Sequence, residues 1–212
     1  MIRSNTNMIA KGSRAASGGR AATAGLLTLV AALVAIAIGA GAAQAASFGS
    51  DLNKNVQPSN AGTAHDCESP GKCTWVMGEA YGNPGGEESP KTGYLKKVKL
   101  IAGESGSFKL QIVKTTFDGH TKIKRNGPKI SYQGQEQANW DNDNYRVEKF
   151  ATHVKIKQGE RLAIKTAATS TLRCSSGGDN TLQHNPPLKK KDGYRVYDDT
   201  DGCWMLIEGK VK

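Results

Sequence analysis

The sequence contains no C-x-x-C, no H-E-x-x-H or H-x-x-x-H, no G-x-S-x-G and no E-x-D-x-x-E. Each absence excludes a chemistry. Without C-x-x-C there is no neighbouring thiol to lower a cysteine pKa, which argues against a dithiol redox site. Without short histidine spacings, His65, His120, His153 and His184 read as scattered surface or loop residues rather than metal ligands. Without G-x-S-x-G there is no nucleophile elbow. Ser105, in Gly103-Glu104-Ser105-Gly106, reads instead as part of a hairpin turn. Helical periodicity is scarce, no internal repeat is visible, and the last residues, IEGKVK, carry no hydrophobic tail.

The N-terminus lacks acids. Arg3, Lys11, Arg14 and Arg20 precede an uncharged run from Gly25 to Ala42, which Ala43-Gln44-Ala45 follows. A basic region, an apolar stretch and an A-x-A exit are the parts of a secretory signal peptide. Residues 1–45 are therefore expected to be a cleaved leader, with no stable membrane anchor after cleavage. An uncleaved spanning helix is the alternative, because the run approaches the roughly 17–25 residues that a span needs. No twin arginine is present, so the general secretory route is expected. Loss of the leader changes 29 basic and 19 acidic residues to 25 and 19. Part of the basic character is thus targeting, and the remainder, from Ala46 on, is large enough for one well-packed domain.

All four cysteines, Cys67, Cys73, Cys174 and Cys203, lie beyond the leader. An even count in an exported chain predicts disulfides, here with three possible connectivities. Cys67–Cys73 with Cys174–Cys203 is favoured, because a short Pro-Gly turn forces the first pair together. Chain-entropy arguments give about 2.4 kcal/mol for the small loop and about 3.6 kcal/mol for the larger. A zinc site is the weaker reading. His65 is near, but the paired short spacings of soft ligands are missing.

What remains is dominated by Gly, Ser, Thr, Asn and Lys, with period-2 alternation. Val98 and Leu100 alternate with Lys97 and Lys99; Phe108, Leu110 and Ile112 with Lys109 and Gln111. Val154 and Ile156 alternate with Lys155 and Lys157; Leu162 and Ile164 with Arg161 and Lys165. Further strands are predicted at Cys73–Ala80, Thr121–Lys124, Tyr145–Phe150 and Cys203–Val211. Turn clusters separate them, and KQGE, flanked by two alternating runs, predicts a hairpin. Many short strands without intervening helices predict an all-β antiparallel sandwich over residues 65–212. Residues 46–64 are expected to be an extended lead-in, and Thr181–Asp192 a long loop.

The ordered set SFGSDL, C-x5-C-T, VKLIAGESGSFKLQIVK, IKQGERLAIKT, STLRCSSGG, PPL and DGCWMLIEG resembles a family of uncharacterised secreted actinobacterial proteins. The resemblance covers most of the chain after the leader and implies a jelly-roll-like β-sandwich. It rests on turn glycines, strand alternation and cysteines, and implies no catalytic residue and no cofactor.

Candidate sites follow from residue type. Trp140, beside Asn139, Asp141 and Asn142, has the make-up of a loop that stacks on sugar. Trp75 and Trp204, next to cysteines on strands, are expected in the core. Lys97, Lys99, Lys109, Lys155, Lys157 and Lys165 occupy outward positions and would form a basic plate if their strands are neighbours. Such a plate would take a glycan or an anionic wall polymer, whereas edge protection by lysines is the plainer reading. Asp141/Asp143 and Asp199/Asp201 could supply oxygens to calcium, but Asx residues favour turns for backbone reasons, and no metal is expected. Glu208, sharing parity with Trp204 and Leu206, is the best candidate acid for a glycan-degrading hydrolase. Nucleic acid is disfavoured by export and by the lack of arginine interleaved with aromatics. The expectation is a secreted or wall-associated, non-catalytic binding or structural module, with the hydrolase as the alternative.

Overall fold

The computed structural model describes residues 44–52, 67, 71–80, 86–102, 105–134, 146–167 and 174–212. The leader up to residue 43, most of the expected lead-in, His65, Asn139, Trp140, Asp141 and Asp143 lie outside the described residues. Ten strands follow in order: β1 (Ala46–Gly49), β2 (Lys72–Met77), β3 (Gly93–Ile101), β4 (Gly106–Thr115), β5 (Thr121–Tyr132), β6 (Val147–Ile156), β7 (Arg161–Ala167), β8 (Cys174–His184), β9 (Asp199–Met205) and β10 (Ile207–Val211). They form a four-stranded sheet, β1-β10-β3-β6, and a six-stranded sheet, β5-β4-β7-β2-β8-β9. Every pairing is antiparallel.

With the β8–β9 hairpin set aside, the pairings are nested: β4 with β5, β3 with β6, β2 with β7 and β1 with β10. One long hairpin bent at β4–β5 and rolled across two sheets has this pattern, which is the jelly roll. The β8–β9 hairpin is an insertion between the last two strands of the roll, and it widens one sheet by two strands.

Alternation explains the layers. Leu95, Val98 and Leu100 of β3 and Val154 and Ile156 of β6 meet Phe108, Leu110 and Ile112 of β4 and Leu162 and Ile164 of β7 in one buried cluster. Burying each such side chain contributes about 1.5–3 kcal/mol. Trp75 and the disulfide-bonded Cys67 and Cys73 belong to the same cluster, so the predicted staple closes onto the core. Gly209 is fixed by close packing: a Cβ there would lie 2.6 Å from the Phe48 ring and 2.9 Å from Leu95.

Six expectations change. Ala46–Gly49 is an edge strand, not lead-in, and buries Phe48 completely. The GESG and KQGE connections are not hairpins, because β3 and β4, like β6 and β7, lie in different sheets. At KQGE the fully shielded Glu160 accepts the Lys157 N–H at 2.7 Å and Arg125 Nη1 at 2.5 Å, which fixes the crossing turn. Cys203–Val211 is two strands: the chain leaves the six-stranded sheet after Met205 and enters the other at Ile207. Thr181–His184 ends β8 rather than opening a loop, and Asp199–Asp201 begins β9 rather than forming a turn.

In β8 and β9 the register sets Cys174 opposite Met205 and Cys203 opposite Ser176. The two cysteines therefore sit two steps apart along one ladder.

Candidate anion-binding groove

The outer face of the six-stranded sheet carries lysines in a row. Lys109 on β4 stands opposite Lys129 on β5 and, on its other side, opposite Lys165 on β7. The row continues through Thr74 on β2 to His184 on β8. Like charges directly opposite destabilise a sheet, so nothing in the folding of this face asks for three lysines in line. None of these ammonium groups meets a carboxylate among the described residues.

The connection from β8 to β9 folds back over this face. Leu188, 2 % exposed, inserts among Val76, Val113, Ile123 and Ala163 and anchors it. Leu188 N–H donates to Thr74 Oγ1 at 3.2 Å, and the Thr74 hydroxyl donates to Gln111 Oε1 at 3.2 Å. Gln111 Nε2 then donates to Asn126 Oδ1 at 3.1 Å. Because the relay consumes the Asn126 oxygen as acceptor, its amide hydrogens are the part left for a ligand. Between loop and sheet lies a groove of about 320 Å³, lined by Lys109, Lys165, Lys189, Lys190, Gln111 and Asn126 with Leu188. A second hollow of about 400 Å³ shares Lys109 and Lys165 and adds Lys72 and Lys129. Among the described residues no carboxylate lines either hollow. An array of donors with no carboxylate among its described lining residues suits an anion, and Asp192, in the roof loop, is engaged by the Lys189 N–H at 2.8 Å.

The residues expected to form one basic plate are divided between two surfaces. Lys97, Lys99 and Lys155 lie on β3 and β6 of the four-stranded sheet, and Lys157 lies in the turn after β6. Lys109 and Lys165 lie on the other sheet. Alternation alone marks all of them as outward, but outward from a sandwich means two opposite directions. On the four-stranded side, Lys97 stands opposite Lys210 on β10, and Lys96, Lys97, Lys210 and Lys212 line a hollow of about 370 Å³. Lys96 Nζ also donates to His153 Nδ1 at 2.7 Å, and the His153 ring stacks on Tyr94 at 4.4 Å.

Glu208 is 4 % exposed and ion-paired to Lys99 at 2.9 Å on this same side. Its presumed parity with Trp204 fails because the chain changes sheets between them. Trp204 is only half-buried, unlike Trp75. Tyr132 is buried beside Phe108, with ring centroids 6.0 Å apart.

Further along the six-stranded face, Glu79, Glu87, Asp118, Arg161, Phe117 and Tyr197 border a hollow of about 520 Å³. Arg161 is held by Glu87 at 2.9 Å and Glu88 at 3.2 Å. The Thr116 hydroxyl at 2.5 Å, aided by His120 at 3.0 Å, holds the Asp118 carboxyl below its usual range. Among the described residues no three metal-ligating side chains converge, and Asp199 and Asp201 lie opposite Gln183 and Thr181 on the β8–β9 ladder.

His184 is fully buried, and neither ring nitrogen has a hydrogen-bond partner among the described residues. Burial, reinforced by the Arg195 charge and only partly opposed by Asp198, lowers its pKa to about 4.

Comparison of the chain with family models, with curated proteins and with solved structures finds no match.

Proposed function

We propose that this chain is a secreted, non-catalytic binding module for an anionic extracellular polymer, such as an acidic glycan or a wall polymer, and that the lysine groove is its binding site. The observation that carries this reading is the row Lys129, Lys109 and Lys165, directly opposed on three adjacent strands, unpaired, and roofed by a loop that adds Lys189 and Lys190. Secretion is supported by the order of basic region, apolar run and A-x-A in residues 1–45. The nearby Cys67–Cys73 disulfide suits an oxidising compartment. The resemblance to secreted actinobacterial jelly-roll proteins belongs to the same proposal.

The test is binding of the purified chain from Ala46 onward to immobilised sulfated and neutral dextran over a range of salt. Binding to the sulfated form alone, weakening steeply as salt rises, is expected. Equal retention on both polymers, or on neither, would overturn the reading.

A hydrolase remains the second reading, with acids other than Glu208. Glu208 is engaged by Lys99, whereas Glu79, Glu87 and Asp118 border a hollow with two aromatic rings. Release of reducing sugar from a panel of polysaccharides, abolished by Glu79→Gln, would favour it.

A further inference from the structure

The two outer faces of the sandwich are both basic, and neither is explained by the other. On one face Lys109 opposes Lys129 and Lys165; on the other Lys97 opposes Lys210. The flanking lysines differ as well: Lys72, Lys189 and Lys190 on the first, Lys96 and Lys212 on the second. Each face has its own hollow with no carboxylate in its lining among the described residues, about 320 Å³ on one side and about 370 Å³ on the other. Several acids are engaged by other cations: Glu208, on the four-stranded side, by Lys99, Glu160 by Arg125, and Glu87 and Glu88 by Arg161.

Sheets in a sandwich pack about 10 Å apart, and lysine side chains stand off a further several ångströms on either side. The two sets of ammonium groups are thus separated by roughly twice the Debye length of about 8 Å at physiological salt. They act as independent sites pointing in opposite directions. One extended polymer lying along either face cannot reach the other without folding around the domain.

We infer that a single copy of this protein binds two anionic polymer chains at once, one on each outer face of the sandwich, and so cross-links them. This rests on the anionic-polymer reading above and goes beyond it, because one basic face would suffice for binding. Bridging gains its strength from multivalency along each chain rather than from a tight individual contact.

The test uses the chain from Ala46 onward with soluble dextran sulfate, and two double variants, Lys109→Gln with Lys165→Gln and Lys97→Gln with Lys210→Gln. Light scattering without polymer establishes the protein as monomeric, and thermal melting establishes that the variants fold. Wild type is expected to give turbidity that peaks at intermediate protein-to-polymer ratio, disperses at protein excess and disappears in high salt. Each double variant is expected to keep measurable binding to immobilised dextran sulfate, weakened several-fold, while its turbidity at the same ratios is lost. Binding by wild type without turbidity at any ratio would sink the cross-linking inference and leave the binding reading standing. So would a double variant whose binding vanishes, or one that cross-links as well as wild type. A wild-type protein that forms the turbid phase only as a dimer also overturns it. Absence of wild-type binding would remove both.

Discussion

Lys109 and Lys165 face each other across the β4–β7 ladder, and Lys129 faces Lys109 from the other side. Opposed lysines repel, and relief of one such contact is worth about 0.2–1 kcal/mol. Lys109→Gln should therefore raise the melting temperature by a few degrees while weakening retention on sulfated dextran. An unchanged or lower melting temperature, measured at low salt, would mean that the row is not strained by charge.

His184 makes stability depend on pH in a definite direction. Its folded pKa, about 4, lies below the 6.5 of an unperturbed histidine, so the unfolded chain takes up the proton first. The contribution is fully present above about pH 6.5 and is lost as pH falls towards 4, by roughly 3 kcal/mol in all. His184→Leu should remove this part of the acid sensitivity. It should also cost little at pH 7, because it replaces two unpartnered nitrogens. Urea denaturation of both proteins at pH 7 and pH 4.5 decides the matter: equal pH dependence in the two would refute it.

Gly209→Ala tests the closeness of β10 to Phe48. The new methyl group would fall 2.6 Å from the ring, against a residue with no exposed surface to retreat into. Overpacking of this kind costs about 1–3 kcal/mol, readable as a lowered urea midpoint. Phe48→Leu in the same background should recover part of the loss.

The register of β8 against β9 sets Cys174 and Cys203 on a diagonal of neighbouring strands, about 7–8 Å apart, so a disulfide between them needs a local adjustment of the ladder. An even number of cysteines nonetheless predicts two disulfides, and intact and peptide-level mass spectrometry of the purified protein should find Cys67–Cys73 and Cys174–Cys203. Alkylation at Cys174 or Cys203 without prior reduction would contradict the second.

Much of the fold can be read from the sequence because alternation reports burial directly. Phe108, Leu110 and Ile112 point to the core wherever β4 is placed. What alternation does not carry is the identity of the sheet. A core shared by two sheets makes inward residues of both look alike, and outward residues too. Lys97 and Lys165 therefore read as neighbours in sequence terms while lying on opposite sides of the molecule. The same blindness turns the KQGE and GESG crossings into apparent hairpins, since turn chemistry is alike whether the next strand pairs or departs. Leu206, where the chain changes sheets, is apolar like its neighbours and leaves no local mark. The roof of the groove was hidden for a different reason. PPLKKK has the composition of a solvated loop, and only the burial of Leu188 shows that it is pinned to the sheet.

The nested pairing of the jelly roll also sets an order of assembly in time. The β4–β5 hairpin closes over a short turn from Thr116 to His120. Once it has formed, β3 and β6 are brought near each other, then β2 and β7, so each later closure starts from ends already held together and costs less chain entropy than it would alone. The pair β1–β10 stands last in that sequence. Pulse-labelled hydrogen exchange during refolding should protect amides of β4 and β5 before those of β1 and β10, and simultaneous protection would contradict the ordering. On this route Ala46, the residue that follows the expected cleavage site, stays outside the sheet until the rest of the sandwich has closed, leaving time for a peptidase to reach it.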